Sequence, residues 1–266
     1  MKKRIFFFLP TLAVFFLFAC KSKDAAPPKP TVVTLQAESR SFSKRHCVND
    51  DQCADFIILY PLVKGNHAAT AEAVNKAIQA RTLASVDGNT NLAFEVALDS
   101  AGANFIEQFK NLHRDFPEQT MGQTIQMTNK VLLNGAKVMT VQLDFDSYTG
   151  GAHPNTAVAV MSFDVQNGGR ELKAADLLTD PNAVLPLLEK AYKKAKQLDE
   201  ADDIGQLLIT EDKKLPLPVN VGVVPEGILF AYSDYEVSPH AVGPADIVLT
   251  WAELGSLADK SKWIGE

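Results

Sequence analysis

The chain has 266 residues, 46% of them hydrophobic and 22% charged, with a formal net charge of -6 at pH 7. Those values describe a globular protein with enough apolar material for one large core or two smaller ones, and they exclude the disordered and fibrous classes. The negative sign argues against nucleic acid, whose phosphates require a basic face, and against docking on anionic lipid by charge alone.

The N-terminus carries the most specific signal. Lys2, Lys3 and Arg4 precede a short apolar run, Ile5 to Phe16, which Pro10 interrupts and Leu17-Phe18-Ala19-Cys20 closes. That run is shorter than the roughly 20 residues of a comfortable membrane span, and the layout over residues 1–19 is that of a secretory signal peptide. Leu-Phe-Ala-Cys also resembles the bacterial lipobox, which implies cleavage before Cys20 and lipidation of its thiol. The expected product is a lipoprotein held on a lipid bilayer, of the cell membrane or the outer membrane, through acylated Cys20 and facing an extracytoplasmic space. An ordinary signal peptide or an uncleaved anchor is the alternative. Residues 20–30, with Pro27, Pro28 and Pro30 among polar neighbours, read as an extended spacer.

Assigning Cys20 to lipid leaves Cys47 and Cys53, an even pair in an oxidising compartment, and we read them as a disulfide. A metal site would need more ligands nearby than His46 supplies.

Beyond the spacer, Thr31 to Glu38 alternates as a strand, and Asp55 to Val63 reads as a buried strand ended by Pro61. Helical spacing starts at Ala68, with Ala71, Val74, Ala77 and Ile78 on one face. A second helix carries Phe105, Ile106, Phe109, Leu112 and Phe116 and stops at Pro117. Met121 to Leu133, Lys137 to Phe145 and Thr156 to Val165 form an antiparallel meander, its first turn at Asn134-Gly135. Its second connection is Ser147-Tyr148-Thr149-Gly150-Gly151-Ala152-His153-Pro154-Asn155, where paired glycines and a proline cannot continue a ladder. A helix with Val184, Leu188, Ala191, Ala195 and Leu198 on its apolar stripe follows Asp180-Pro181; Pro186 should displace its start or kink it. Three strands, Val219 to Val224, Gly227 to Tyr232 and Asp246 to Trp251, and a short helix close the chain.

The glycine loop, Leu172-Lys173-Ala174-Ala175-Asp176-Leu177-Leu178, Gly227-Ile228-Leu229-Phe230 and the Tyr235 to Gly243 stretch together resemble a domain-of-unknown-function family. That extracytoplasmic family is shared by the lysozyme-sensing anti-sigma-V factor and the non-catalytic N-terminal half of peptidoglycan deacetylase C. The resemblance is most specific over residues 120–260. It implies an α+β fold of two contiguous modules, residues 31–118 and 119–266, with antiparallel sheets and helices packed on one face. It implies no catalytic mechanism, because the family's enzymatic member keeps its active site in another domain.

Motifs for zinc hydrolases, nucleophile elbows, phosphate loops and dinucleotide folds are absent, and the five histidines lie far apart in sequence. No cofactor is expected. Tyr148, Gly150, Gly151, His153, Tyr235 and His240 are the candidate ligand-binding residues: aromatic faces stack on sugars, and the two motifs could approach each other. His153 also has a plainer role open to it, ordering its own loop through a backbone hydrogen bond. The leading expectation is a non-enzymatic binding or sensing module of the cell envelope, its ligand a peptidoglycan-type glycan or lysozyme. The alternatives are a glycan hydrolase or deacetylase using Asp144, Asp146 and His153, because paired carboxylates serve glycoside chemistry, and a structural lipoprotein scaffold.

Overall fold

The computed structural model describes residues 32–118 and 121–264. The signal peptide, Cys20 and the spacer lie outside the described residues. The first strand, β1 (Leu35–Cys47), runs antiparallel to β2 (Cys53–Gly65), with the Cys47–Cys53 disulfide joining their ends. β1 is longer than the alternation of Thr31 to Glu38 predicts, since the half-buried face of its second half is Phe42, Lys44 and His46, of which only Phe42 is apolar and packs on the core.

Pro61 does not end β2. Val63 exchanges hydrogen bonds of 2.7 Å with the Asn75 side chain, so that parity of β2 points its backbone away from β1. The pairing with β3 ends at Ile58, so the donor that Pro61 lacks has no ladder partner to lose.

Two helices follow, α1 (Ala68–Ser85) and α2 (Phe94–Asp115), and they form the crossover to β3 (Gln123–Asn134), which pairs parallel to β2. This is the one departure from antiparallel pairing among the described strands, and it follows from the helical connection. β4 (Val138–Tyr148), β5 (Asn155–Asp164) and β6 (Arg170–Leu172) complete a six-stranded sheet in chain order. The sheet thus continues across residue 118, where the resemblance divides the modules. In α2 the Phe105 and Phe109 rings are buried as expected, whereas Leu112 and Phe116 of the same stripe are exposed.

After β6 come α3 (Ala174–Leu177) and α4 (Leu185–Ala195). Pro186 sits in the first turn of α4 and delays its start, while Asp180 accepts from Asn182 N and Ala183 N to close the turn before it. β7 (Asn220–Val224), β8 (Gly227–Tyr232) and β9 (Ala245–Thr250) form an antiparallel three-stranded sheet, followed by α5 (Trp251–Leu254) and α6 (Lys260–Trp263).

Period-two alternation on β4 places the two cores. Met139, Val141 and Leu143 join the core under α1 and α2, with Phe56, Ile58 and Phe109. Val138, on the other parity, belongs to a second core with Tyr192, Phe230, Tyr232 and Trp263. The small sheet lies against that face of the large one. Thr140 and Ser162 share a buried 2.7 Å hydroxyl bond there, and Ser162 Oγ accepts from Val223 N at 2.9 Å, so the polar groups between the sheets are paired. The parity that carries Val138, Thr140 and Gln142 continues to Asp144 and Asp146.

The disulfide supplies a stability prediction. Replacing Cys47 and Cys53 with Ser removes a short loop closure worth about 2 kcal/mol. Thermal unfolding followed by circular dichroism should show Tm lower by about 4–8 °C; an unchanged Tm would place that loop's order in its other hydrogen bonds.

Candidate functional site

The connection between β4 and β5 is shaped by backbone conformation. Gly150 (φ 101°) and Gly151 (φ 116°) lie where side-chain-bearing residues are strained, although a Cβ at either position would meet open space. Gln123 Nε2 donates to Thr149 O at 2.9 Å and Tyr148 Oη donates to Gly151 O at 3.2 Å, closing the loop on itself. His153 Nδ1 lies 3.0 Å from Pro154 O. A carbonyl only accepts, so Nδ1 carries the proton and Nε2 is left as an acceptor in the neutral ring.

That acceptor is used from far along the chain: Tyr235 Oη lies 3.1 Å from His153 Nε2. The His240 ring stacks on His153 with centroids 4.0 Å apart and planes 10° from parallel, and Tyr235 lies 5.8 Å from His240 at 20°. Three of the four predicted rings therefore converge. Tyr148 shares their loop, but its hydroxyl is turned to Gly151 O and Met121 Sδ.

Two residues that sequence reasoning did not single out hold the second half of the cluster. Asp234 has a side chain only 1% exposed, and its Oδ2 accepts from His240 Nδ1. Its Oδ1 is buried with no hydrogen-bond partner among the described residues. Lys196, the residue capping α4, donates to the carbonyls of Val242, Gly243 and Pro244 at 2.8–2.9 Å and so pins the segment that carries His240. Burial lowers the Lys196 pKa, and the Asp234 charge opposes that. Tyr235 itself has φ 60°, the left-handed region, and keeps 48% of its surface exposed.

Asp234 also lines a cleft of ≈ 470 Å³ bounded by Asp144, Asp146, Asp246, Thr128, Thr156 and Ser233. Asp144 is partnered by Lys130 Nζ at 2.9 Å and Gln142 Nε2 at 2.6 Å. Loss of surrounding water raises the Asp246 pKa, the facing Asp144 carboxylate adds to this, and Lys130 opposes it. No bond joins His153 to Asp144 or Asp146 among the described residues, and no group of three or more His, Cys, Asp or Glu is placed to hold a metal ion.

A carboxylate with a raised pKa binds a proton on folding. Its ionisation therefore costs stability above that pKa, and the cost fades as the pH falls through it. Asp246→Asn should raise Tm by about 1 °C at neutral pH, a small figure because solvent reaches Asp246. The difference from wild type should close below the raised pKa; a gap of equal size at every pH would assign it to packing.

Residues 47–156 match the family described as Deacetylase PdaC, and residues 175–252 match the protein family of unknown function DUF3298. The chain thus resembles a PdaC-type module followed by a DUF3298 module. The PdaC-type match runs past residue 118 through β3 and β4 to the start of β5. A solved DUF3298 family structure from Bacteroides fragilis superposes with a TM-score of 0.68 at 16% identity, covering 86% of this chain and 95% of that one. Another from Pseudomonas aeruginosa gives 0.59 at 16% identity, covering 87% and 98%. At that identity the likeness is one of fold. No curated protein matches the chain. Placed on the two matches, the ring cluster joins them: His153 belongs to the PdaC-type segment, and Tyr235 and His240 to the DUF3298 segment.

Proposed function

We propose that this protein is a non-enzymatic binding module of the cell envelope, lipid-anchored through Cys20, that takes a peptidoglycan-type glycan at the Tyr235, His153 and His240 cluster. The PdaC-type module supports an extracytoplasmic, envelope-related role, and no helix among the described residues is long and apolar enough to cross a membrane. The observation that carries the reading is the convergence of three rings from two distant loops, one ring half exposed and another, His240, bonded to Asp234 in the wall of a neighbouring cleft. Concave sites with aromatic walls and a few convergent polar groups are the usual form of a ligand site. Catalysis by Asp144, Asp146 and His153 has less support, since both ring nitrogens of His153 are engaged in holding the loops. The net negative charge favours a second ligand, a cationic wall-attacking protein such as lysozyme.

Sedimentation of the purified full-length protein with peptidoglycan, and capture on immobilised lysozyme, at low and raised salt, test these readings. Binding to neither removes both. Turnover of a chromogenic glycan or acetyl ester that is lost in Asp144→Ala plus Asp146→Ala would replace them with the hydrolase. Fatty-acid labelling that marks a Cys20→Ser variant as strongly as wild type would remove the anchor.

A further inference from the structure

His153 and His240 lie face to face, with centroids 4.0 Å apart and planes 10° from parallel. They come from two separate segments, the β4–β5 connection and the chain between β8 and β9, which no strand pairing joins. Each ring already has its Nδ1 proton engaged, His153 on Pro154 O and His240 on the buried carboxylate of Asp234. The next proton on either ring therefore enters at Nε2 and makes a cation. On His153 it also takes the lone pair to which Tyr235 Oη donates, so that bond as it stands is lost.

The surrounding charges distinguish the two rings. Asp234 faces His240 and can neutralise an imidazolium there. His153 has no carboxylate within ion-pair distance among the described residues; Tyr235 and His240 face it, and Tyr148 of its own loop is turned to Gly151 O and Met121 Sδ. Lys196 is held on the carbonyls of Val242, Gly243 and Pro244, Glu236 accepts from Ser233 N, and Asp144, Asp146 and Asp246 line the neighbouring cleft with Asp234. One imidazolium in the stack is thus balanced by Asp234, whereas a second would face the first in contact without a carboxylate of its own.

We infer that this stack is a latch released by acid: it holds the two loops together while no more than one of its rings is charged, and it parts when both are. Histidine is the side chain whose ordinary pKa, about 6.5, puts such a change near physiological pH. The surroundings allow the movement. A Cβ at Gly150 or Gly151 would meet open space, so the loop can swing out without collision. Tyr235 at φ 60° occupies the left-handed region, a conformation that persists only while its surroundings hold it. Val158 N donates to Ser233 Oγ at 3.1 Å, which keeps the second segment anchored at its base. Parting of the rings breaks up the surface on which the glycan reading above places the ligand, so a bound glycan is released in acid. That consequence rests on the glycan reading; the latch itself does not.

The test is NMR of the full-length protein with isotope-labelled histidine and tyrosine rings, at about pH 7.5 and about pH 5, the second below the imidazole range and above that of ordinary carboxylates. Cross-relaxation between the His153 and His240 rings should be present at the higher pH and lost at the lower, while an unchanged circular dichroism spectrum shows that the fold persists. In His153→Gln one ring can no longer charge, and Gln keeps an acceptor for Tyr235 Oη. The contact of Tyr235 with His240, 5.8 Å between centroids, should then persist at both pH values. Asp246, whose pKa is raised by burial, is common to both proteins, so the comparison isolates the ring pair. Affinity for peptidoglycan, read by sedimentation, should fall at least about tenfold in acid for wild type and less than about threefold for the variant. A ring contact that survives acid in wild type would overturn the inference and leave the glycan reading standing. Loss of contact or unfolding in acid by both proteins would assign the change to other groups and overturn it too. Parting of the rings in wild type alone, with no peptidoglycan bound at either pH, would support the latch and remove the glycan reading.

Discussion

Gly227→Ala is expected to lower Tm by about 6 °C or more, the cost of about 3 kcal/mol at the upper end of core overpacking. A Cβ at Gly227 would stand 1.9 Å from Leu249 O, 2.8 Å from Leu249 C and 2.9 Å from Thr250 Cα. All three are backbone atoms of β9 or its edge, and Gly227 pairs with Thr250 in the register of the small sheet. Backbone in a ladder cannot move aside as a lysine tip would; it must break the pairing that places Asp234 and Asp246. The constraint is one of space, since Gly227 is not among the residues with positive φ. Thermal unfolding of the single variant checks this, and glycan sedimentation should fail alongside it. A Tm within about 1 °C of wild type would mean that β8 and β9 stand farther apart than described.

Tyr235→Gly is expected to separate binding from stability. A non-glycine residue in the left-handed region costs of order 1 kcal/mol, and Tyr235 holds φ 60°. Glycine relieves that cost but removes a ring stacked beside His153 and His240, a loss of similar size, so Tm should stay within about 2 °C of wild type. Affinity for peptidoglycan should fall at least about tenfold, equivalent to 1.4 kcal/mol, because a half-exposed tyrosine stacked in a ring cluster is the kind of side chain that dominates a contact. Tyr235→Phe keeps the ring and deletes the hydroxyl that His153 Nε2 accepts from, so its affinity should fall between the two. Sedimentation with peptidoglycan over a concentration series reads both variants. Wild-type binding by the glycine variant would remove the ring cluster from the site.

Most elements were legible because their causes are local. Val138 to Phe145 alternates with period two, α1 repeats its apolar face every three to four residues, and Asn134-Gly135 closes a tight turn, so these are found at or near the expected positions. The glycine loop followed from the conformations that Gly150 and Gly151 permit. Tyr192 was missed among the lysines of α4 although it is fully buried, because its hydroxyl and charged neighbours hide it from a reading of polarity. The second half of β1 was missed because its half-buried face is Phe42, Lys44 and His46, and a single apolar residue leaves no period to read.

The candidate site divides in the same way. Tyr148, His153, Tyr235 and His240 stood out because each lies in a string of unusual local chemistry. Asp234 immediately precedes Tyr235 and had no mark of its own; what makes it unusual is burial against His240, which depends on how residues 233–244 close over the cleft. Asp246 looked like the start of an ordinary strand.

The amino-acid sequence by itself determined the run of strands and helices, the conformation of the glycine loop, and the two cysteines that close the end of the β1–β2 hairpin. Those follow from backbone sterics and side-chain periodicity within a few residues. Only the tertiary structure decided that β3 adds parallel to β2, and that His153 meets a tyrosine 82 residues away while four aspartates share one cleft. Such meetings depend on two sheets packing through buried side chains on both faces of β4, a condition that no stretch of the chain can satisfy alone.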